Sequence, residues 1–228
     1  MTVGVVVMRM GLMGYMKALS LQNNLAEMIK AKKFPFSGGA LLLMEHLPVY
    51  TVGLRRKDYG PEYEEKLKKL GAEFVYTNRG GLVTFHGPGQ LIAYPVLNLK
   101  MFKASMRWYV ESLEEVVIKL CSEYSLDCVR SPHTGVWVGN NKLCAIGVHG
   151  SKFVTTHGLA LNCSTDMSWF QHIVPCGIEG KGVTSLSKEL KCTVSPDDVI
   201  PRFLKCFKNH FNCELREDEG KNHLQLII

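Results

Sequence analysis

The sequence lacks any apolar run approaching the ~18 residues that a membrane-spanning helix needs. Its longest candidates are short: Val5 to Met8, Ala40 to Met44 and Leu226 to Ile228. A helical membrane span is excluded. CxxC pairs are also missing, and eight cysteines scattered over 228 residues are far too sparse for a small disulfide scaffold. A zinc ribbon and a thioredoxin-like motif are therefore unsupported, and a reducing compartment is the simpler reading. There is no basic block and no interleaved aromatic stripe, so nothing calls for nucleic acid. The 27 Lys and Arg against 21 Asp and Glu leave +6, a modest excess that favours acidic partners. Neither a Walker Gly-Lys-Ser/Thr nor a GxGxxG fingerprint occurs, so no nucleotide phosphate is indicated.

With 46% hydrophobic and 21% charged residues, the chain has the composition of an ordinary folded protein and enough length for one domain spanning residues 1–228. Asn162-Cys163-Ser164 matches a glycosylation acceptor, which matters only in a secreted chain, and no basic leader followed by an apolar segment points to secretion. Residues 1–26 contain Arg9 and Lys17 but no acid, a faint likeness to a transit segment, whereas Val3 to Met8 reads equally well as a first strand.

The β-branched run Thr2 to Met8 leads into Leu12, Tyr15, Met16, Leu19, Leu25, Met28 and Ile29 at mostly helical spacing, which predicts strand then helix. Ala40 to Met44 reads as a buried strand. Pro61 to Leu70, acidic early and basic late with Gly71 beyond, predicts a short exposed helix. Ser105 opens a core-packed helix through Tyr124. Gly135 to Gly139, Leu143 to Val148, Phe153 to Thr156 and Gly158 to Asn162 predict an antiparallel meander, with turns at Gly139 to Lys142 and His149 to Lys152. Ser195-Pro196-Asp197-Asp198 caps a last helix that Pro201 kinks or delays. Without regular βαβ alternation, the fold class is α+β, a mixed, largely antiparallel sheet with packed helices.

Arg79 to Gln90 is the densest candidate site: four glycines, a proline, an arginine and a histidine around one short strand. Glycines at that density admit close approach to a ligand, although two tight turns flanking an edge strand account for the composition equally well. Val174-Pro175-Cys176-Gly177 presents a thiol between a rigid and a permissive residue. Cys121, Cys128 and Cys144 lie in apolar patterns and read as structural. Cys206, His210 and Cys213 have i, i+4, i+7 spacing, but three ligands fall short of a zinc site and no metal is assigned. Taken alone, Lys142 reads as a solvated turn lysine and His157 as a strand-end histidine.

RGGLVTFHGPGQ at 79–90 resembles the signature of the lipoyl(octanoyl) transferases. So do KLCAIG at 142–147, THGLALN at 156–162 and PCGI at 175–178, in the family's order, with EHLPVYTVG at 45–53 and SWFQHIVPCG through GVTSLSKEL extending the match. The text around STDMSWFQHIVPCG is most similar to the animal mitochondrial branch, which implies the mitochondrial matrix, or the cytoplasm were the chain bacterial. The resemblance implies the fold of biotin and lipoate ligase catalytic domains and a cysteine–lysine pair, here Cys176 and Lys142. It implies ligand-lining positions at Arg79, Gly80, Gly81, Leu82, Val83, Thr84, Phe85 and His86, at Ala145, Ile146 and Gly147, and at Gly158, Leu159 and Ala160, with His157 in support. Cys144 stands where many relatives carry alanine and is expected to be a bystander.

The implied activity is octanoyl transfer from acyl carrier protein, through a cysteine thioester, to the lysine of lipoyl domains. The implied acceptors are the E2 subunits of 2-oxoacid dehydrogenases and the glycine cleavage H protein, and no ATP, metal or other cofactor is expected. A donor that is already a thioester needs no adenylation, and covalent catalysis splits one transfer between two proteins into two easier steps. The rivals are an ATP-dependent lipoate ligase of the same fold, which needs no cysteine nucleophile, and a non-catalytic acyl or lipoyl-domain binding module.

Overall fold

A computed structural model describes residues 2–55, 59–173 and 180–218. The chain opens with strand β1 (Val3–Met13) and helix α1 (Tyr15–Lys30), then β2 (Gly39–His46), β3 (Val49–Val52), α2 (Pro61–Lys68), β4 (Glu73–Tyr76), β5 (Val83–His86) and β6 (Gln90–Leu97). Helix α3 (Met106–Ser122) precedes β7 (Val129–Arg130), β8 (Val136–Val138), β9 (Asn141–Ser151) and β10 (Val154–Asn162). Strand β11 (Gly182–Val183), α4 (Leu186–Leu190), α5 (Pro196–Phe211) and β12 (Cys213–Glu217) complete the described part.

The main sheet runs β12-β1-β2-β6-β10-β9-β8-β7, with β11 added in parallel to β9. From β2 to β7 every neighbour is antiparallel, and β1 is parallel to both β2 and β12. The expected mixed, largely antiparallel α+β architecture is what forms. A second sheet, β4-β3-β5, carries the edge strand β5.

Strands β2 and β6 are apolar on both faces because helices cover both. Leu41, Leu43, Leu91 and Ala93 face a core built with Tyr109, Leu113, Val117, Phe203 and Phe207 of α3 and α5. Ala40, Leu42, Ile92 and Tyr94 face Ala18, Leu25 and Ile29 of α1. The small sheet has its own cluster, in which Phe85 stacks on Trp169 with ring centroids 4.9 Å apart.

Four local expectations are corrected. Strand β1 runs past Met8 to Met13, so Leu12 is an exposed strand residue, not the first residue of the helix. The runs at Phe153 to Thr156 and Gly158 to Asn162 are one strand, β10, and His157 lies within it rather than at an end. Gly150 is also in a strand: Lys152 and Phe153, both at positive φ, make the β9–β10 turn, as a two-residue hairpin requires. Helix α5 starts at Pro196 behind a Ser195/Asp198 capping box and runs through Pro201 without delay. It ends at the left-handed Asn212, so Cys213 begins β12 and does not continue the helical face of Cys206 and His210.

Candidate active site

The glycine-rich segment folds over β3 and β9. Arg79 is buried, and its guanidinium donates to the carbonyls of Thr51, Gly80 and Leu82, so the loop curls around its own arginine. Gly80 N–H donates to Val148 O at 3.1 Å, which staples the loop to β9. Gly81 takes φ +97°, a region open to glycine, and a Cβ on Gly53 would sit 2.3 Å from the Gly81 carbonyl oxygen. These glycines serve close backbone packing.

That fold forms a narrow cleft. Arg79, Gly81, Leu82, Val83, Thr84 and His86 line it from the loop and β5, Lys142, Ala145, Ile146 and Gly147 from β9, and His157, Gly158, Leu159 and Ala160 from β10. Strands β9 and β10 bring the last two groups together because Gly158 pairs with Gly147, Leu159 with Ile146 and Ala160 with Ala145. Two expected positions lie elsewhere. Phe85 packs with Tyr50 and Trp169 in the small-sheet cluster, and Gly80 lines an adjoining groove. Tyr15 and Tyr94 line the cleft and escape the motifs, since each reads in sequence as an ordinary core aromatic.

Lys142 is buried, not a solvated turn residue. Its Nζ donates to Thr134 O at 2.9 Å and lies 4.8 Å from the Trp137 ring centroid. Gly135, at φ +123°, makes room for the lysine stem: a Cβ there would meet Lys142 Cε at 3.3 Å. The Glu114 carboxylate accepts from Gly135 N–H at 2.9 Å and pairs with Arg130 at 3.2 Å, anchoring this turn to α3. Cys144, two residues on, is buried, and burial pushes its thiol well above the ordinary range, so it is no thiolate. Cys176 lies outside the described residues, as does the rest of its Pro-Cys-Gly-Ile motif. Val183, seven residues later, pairs with Lys142 itself.

Two buried histidines, His86 and His157, line the cleft, and a third, His46, packs against His86 with ring centroids 6.1 Å apart. His46 donates from Nδ1 to Met13 O at 2.9 Å and accepts at Nε2 from Tyr94 O–H at 2.9 Å, and burial lowers its pKa to about 4. His86 is held well below the ordinary imidazole value by burial and then by neighbouring His46 and Arg79. It donates from Nδ1 to Gln90 Oε1 at 2.9 Å and accepts at Nε2 from Thr51 Oγ1 at 3.2 Å. His157 is lowered to about 3 by burial and then by Arg79. It donates from Nε2 to Asn78 Oδ1 at 2.8 Å, and its backbone N–H donates to Gln22 Oε1 on α1. At φ +58° it is strained for a side chain of its kind, and the strain turns its N–H off the ladder toward α1.

His86 sits within a directed relay of hydrogen bonds. Arg79 donates to Thr51 Oγ1 and Thr51 to His86; His86 donates to Gln90, Gln90 Nε2 to Asn162 Oδ1, and Asn162 Nδ2 to Thr184 O. Thr184 N in turn donates to Lys142 O at 3.0 Å. The relay therefore runs from the glycine loop to the backbone of the buried lysine. Asn162 spends its amide here, so its place in a glycosylation triplet is incidental.

The sequence pattern of the lipoyl protein ligase A/B catalytic domain matches residues 14–208. The chain belongs to this family. It is 62% identical over 77% of its length to a mitochondrial octanoyl-acyl carrier protein:protein N-octanoyltransferase of Danio rerio, covering 78% of that protein. Against the Homo sapiens protein of the same description, identity is 47% over 94% of this chain and 96% of the relative. Among solved structures, lipoate-protein ligase A bound with ATP superposes with a TM-score of 0.74 at 14% identity, covering 100% of this chain and 92% of that one. The bipartite lipoate protein ligase of Thermoplasma acidophilum gives 0.73 at 15%, covering 100% and 91%. These structures carry the fold, and they agree with the ligase-like domain expected from the motifs.

Proposed function

We propose that this family member is an acyltransferase of protein lipoylation in the mitochondrial matrix. It takes octanoyl from acyl carrier protein onto Cys176 and passes it to the lysine amine of lipoyl domains, those of 2-oxoacid dehydrogenase E2 subunits and of the glycine cleavage H protein. The observation that carries this reading is an apolar-walled cleft with a buried primary amine, Lys142, on its wall. Relatives named octanoyltransferases favour transfer over ATP-dependent ligation, among them one of Arabidopsis thaliana at 43% identity.

In the first half-reaction Lys142 takes the Cys176 proton and the thiolate attacks the thioester carbonyl carbon. The bond from that carbon to the donor sulfur breaks, and the departing thiolate receives the proton from Lys142. In the second half the acceptor amine attacks the Cys176 thioester and gives a proton to Lys142. The cysteine leaves as thiolate and is reprotonated, and an amide remains. No ATP and no metal enters either half. The excess of +6 favours association with acidic carrier proteins.

Intact-protein mass spectrometry tests this directly. With octanoyl-acyl carrier protein alone, the wild type gains one octanoyl group that hydroxylamine removes and a lipoyl domain discharges, and Cys176→Ala gains none. An unmodified enzyme that octanoylates the lipoyl domain only when ATP is added would make it a ligase.

A further inference from the structure

The cleft shares a wall, Gly81, Leu82, Lys142, Ile146 and Gly147, with a second groove of about 1210 Å³. The far side of this groove comes from Arg55, Val110, Pro132, His133, Thr134 and Val148. Its lining is uneven in exposure: Lys142 is buried, whereas Arg55 and His133 are exposed.

The groove is also built before anything enters it. Lys142 Nζ holds the Thr134 carbonyl, Glu114 holds Gly135 N–H, and Gly80 N–H holds Val148 O across the wall. Among the described residues no Asp or Glu lines it, and Arg55 is an exposed permanent cation in its lining.

Geometry divides the donor between the two spaces. An acyl chain lying in the cleft with its carbonyl at Lys142 leaves the sulfur side of the thioester at the shared wall, and the remainder of the donor must continue along the groove. In acyl carrier protein that remainder is the phosphopantetheine arm: two amides, a gem-dimethyl group and a terminal phosphodiester. Val110 and Val148 offer apolar contact for the dimethyl carbon, Thr134 and the backbone of the 132–134 turn offer polar contact for the amides, and Arg55 matches the phosphodiester.

On the acyl-transfer reading above, we propose that this second groove seats the phosphopantetheine arm of the donor, with Arg55 binding its phosphate. Recognition of the donor then rests partly on the arm and not only on the carrier protein's surface.

The test uses two small donors, octanoyl-pantetheine and octanoyl-4′-phosphopantetheine, with enzyme loading followed by mass. The wild type is expected to load from the phosphorylated donor with a kcat/KM higher on the order of tenfold, as for a hydrogen bond to a charged group. Arg55→Glu is expected to bring the ratio of the two kcat/KM values to about one or below, and Lys208→Ala, on α5, to keep the wild-type ratio. Val110→Trp, which fills the groove, is expected to slow loading from both donors while its unfolding midpoint stays near wild type. Equal loading from both donors by the wild type, or a phosphate preference that survives Arg55→Glu, would overturn the proposal. A wild type that loads from neither donor nor from octanoyl-acyl carrier protein would overturn the acyl-transfer reading itself, and the arm site with it.

Discussion

Acidification should destabilise this protein well before its carboxylates titrate. His46, His86 and His157 are neutral in the fold, with pKa values lowered by burial to about 4 for His46, to about 3 for His157, and well below the ordinary value for His86. In the unfolded chain each returns to about 6.5. The unfolded state therefore binds more protons, and stability present above about pH 6.5 falls as the pH drops toward the folded values. For one such histidine the loss between about pH 7.5 and 5.5 is RT ln(1 + 10) less RT ln(1 + 0.1), or ~1.4 kcal/mol, whatever its folded pKa below about 4.5.

His46 and His157 together give about 3 kcal/mol and His86 adds in the same sense, a large share of the ~5–15 kcal/mol that holds a domain together. The carboxyls of Asp166 and Asp198 are held below their ordinary values by hydrogen bonds to Ser168 and Ser195 and titrate beneath this window. His210, lowered first by burial, adds in the same sense. Urea unfolding followed by tryptophan fluorescence at these two pH values should show a midpoint shift of about 2 M, taking m near 2 kcal/mol/M. His46→Gln should flatten the pH dependence by about a third. A midpoint constant across the range would mean the imidazoles titrate in the folded protein as they do in the unfolded chain, and the assignment of lowered pKa values would fail.

Lys142→Met should lower single-turnover octanoyl loading by roughly 10²–10⁴-fold, the usual contribution of a positioned acid–base group, with near-native circular dichroism. Ala145→Leu places extra carbons in the cleft and should raise the preference for hexanoyl over octanoyl donors on the order of tenfold, two methylenes at ~0.8 kcal/mol each, read from competing donors by mass. Gly158→Ala sets a Cβ 2.2 Å from the Ala93 carbonyl oxygen between paired strands. It should cost roughly 1–3 kcal/mol in urea unfolding, because neither backbone can move without its neighbour.

Strands, caps and the edge position of β5 were legible because apolar periodicity and turn residues act locally. Ser105 and Ser195 cap their helices, and Glu62 and Glu64 open α2 as the sequence implies. The three motifs within the described residues do come together in space: β9 and β10 pair so that Gly147 and Gly158 lie side by side in the cleft wall. The unreadable part lies in long-range contacts. Gln22 meets His157 across 135 residues, Asn162 meets Gln90 across 72, and Tyr15 reaches the cleft from helix α1. None carries a local signal, since an isolated Gln or Tyr on a helix looks the same whether it packs or holds a histidine. His157 was misplaced for the same reason: its left-handed backbone inside a strand goes with tertiary bonds to Gln22 and Asn78 that the local sequence does not signal.

The relay through His86 also determines what that histidine can do. Its Nδ1 faces an amide oxygen and its Nε2 a hydroxyl that the Arg79 guanidinium already donates to, so both ring positions are committed and one tautomer is selected. Such a ring is a strut, as unable to carry a proton in and out as a beam is to act as a hinge. A cleft lined by two imidazoles, with a third packed behind them, would ordinarily suggest histidine chemistry. Here the imidazoles bear the framework, and the proposed mechanism accordingly gives the proton transfers to Lys142.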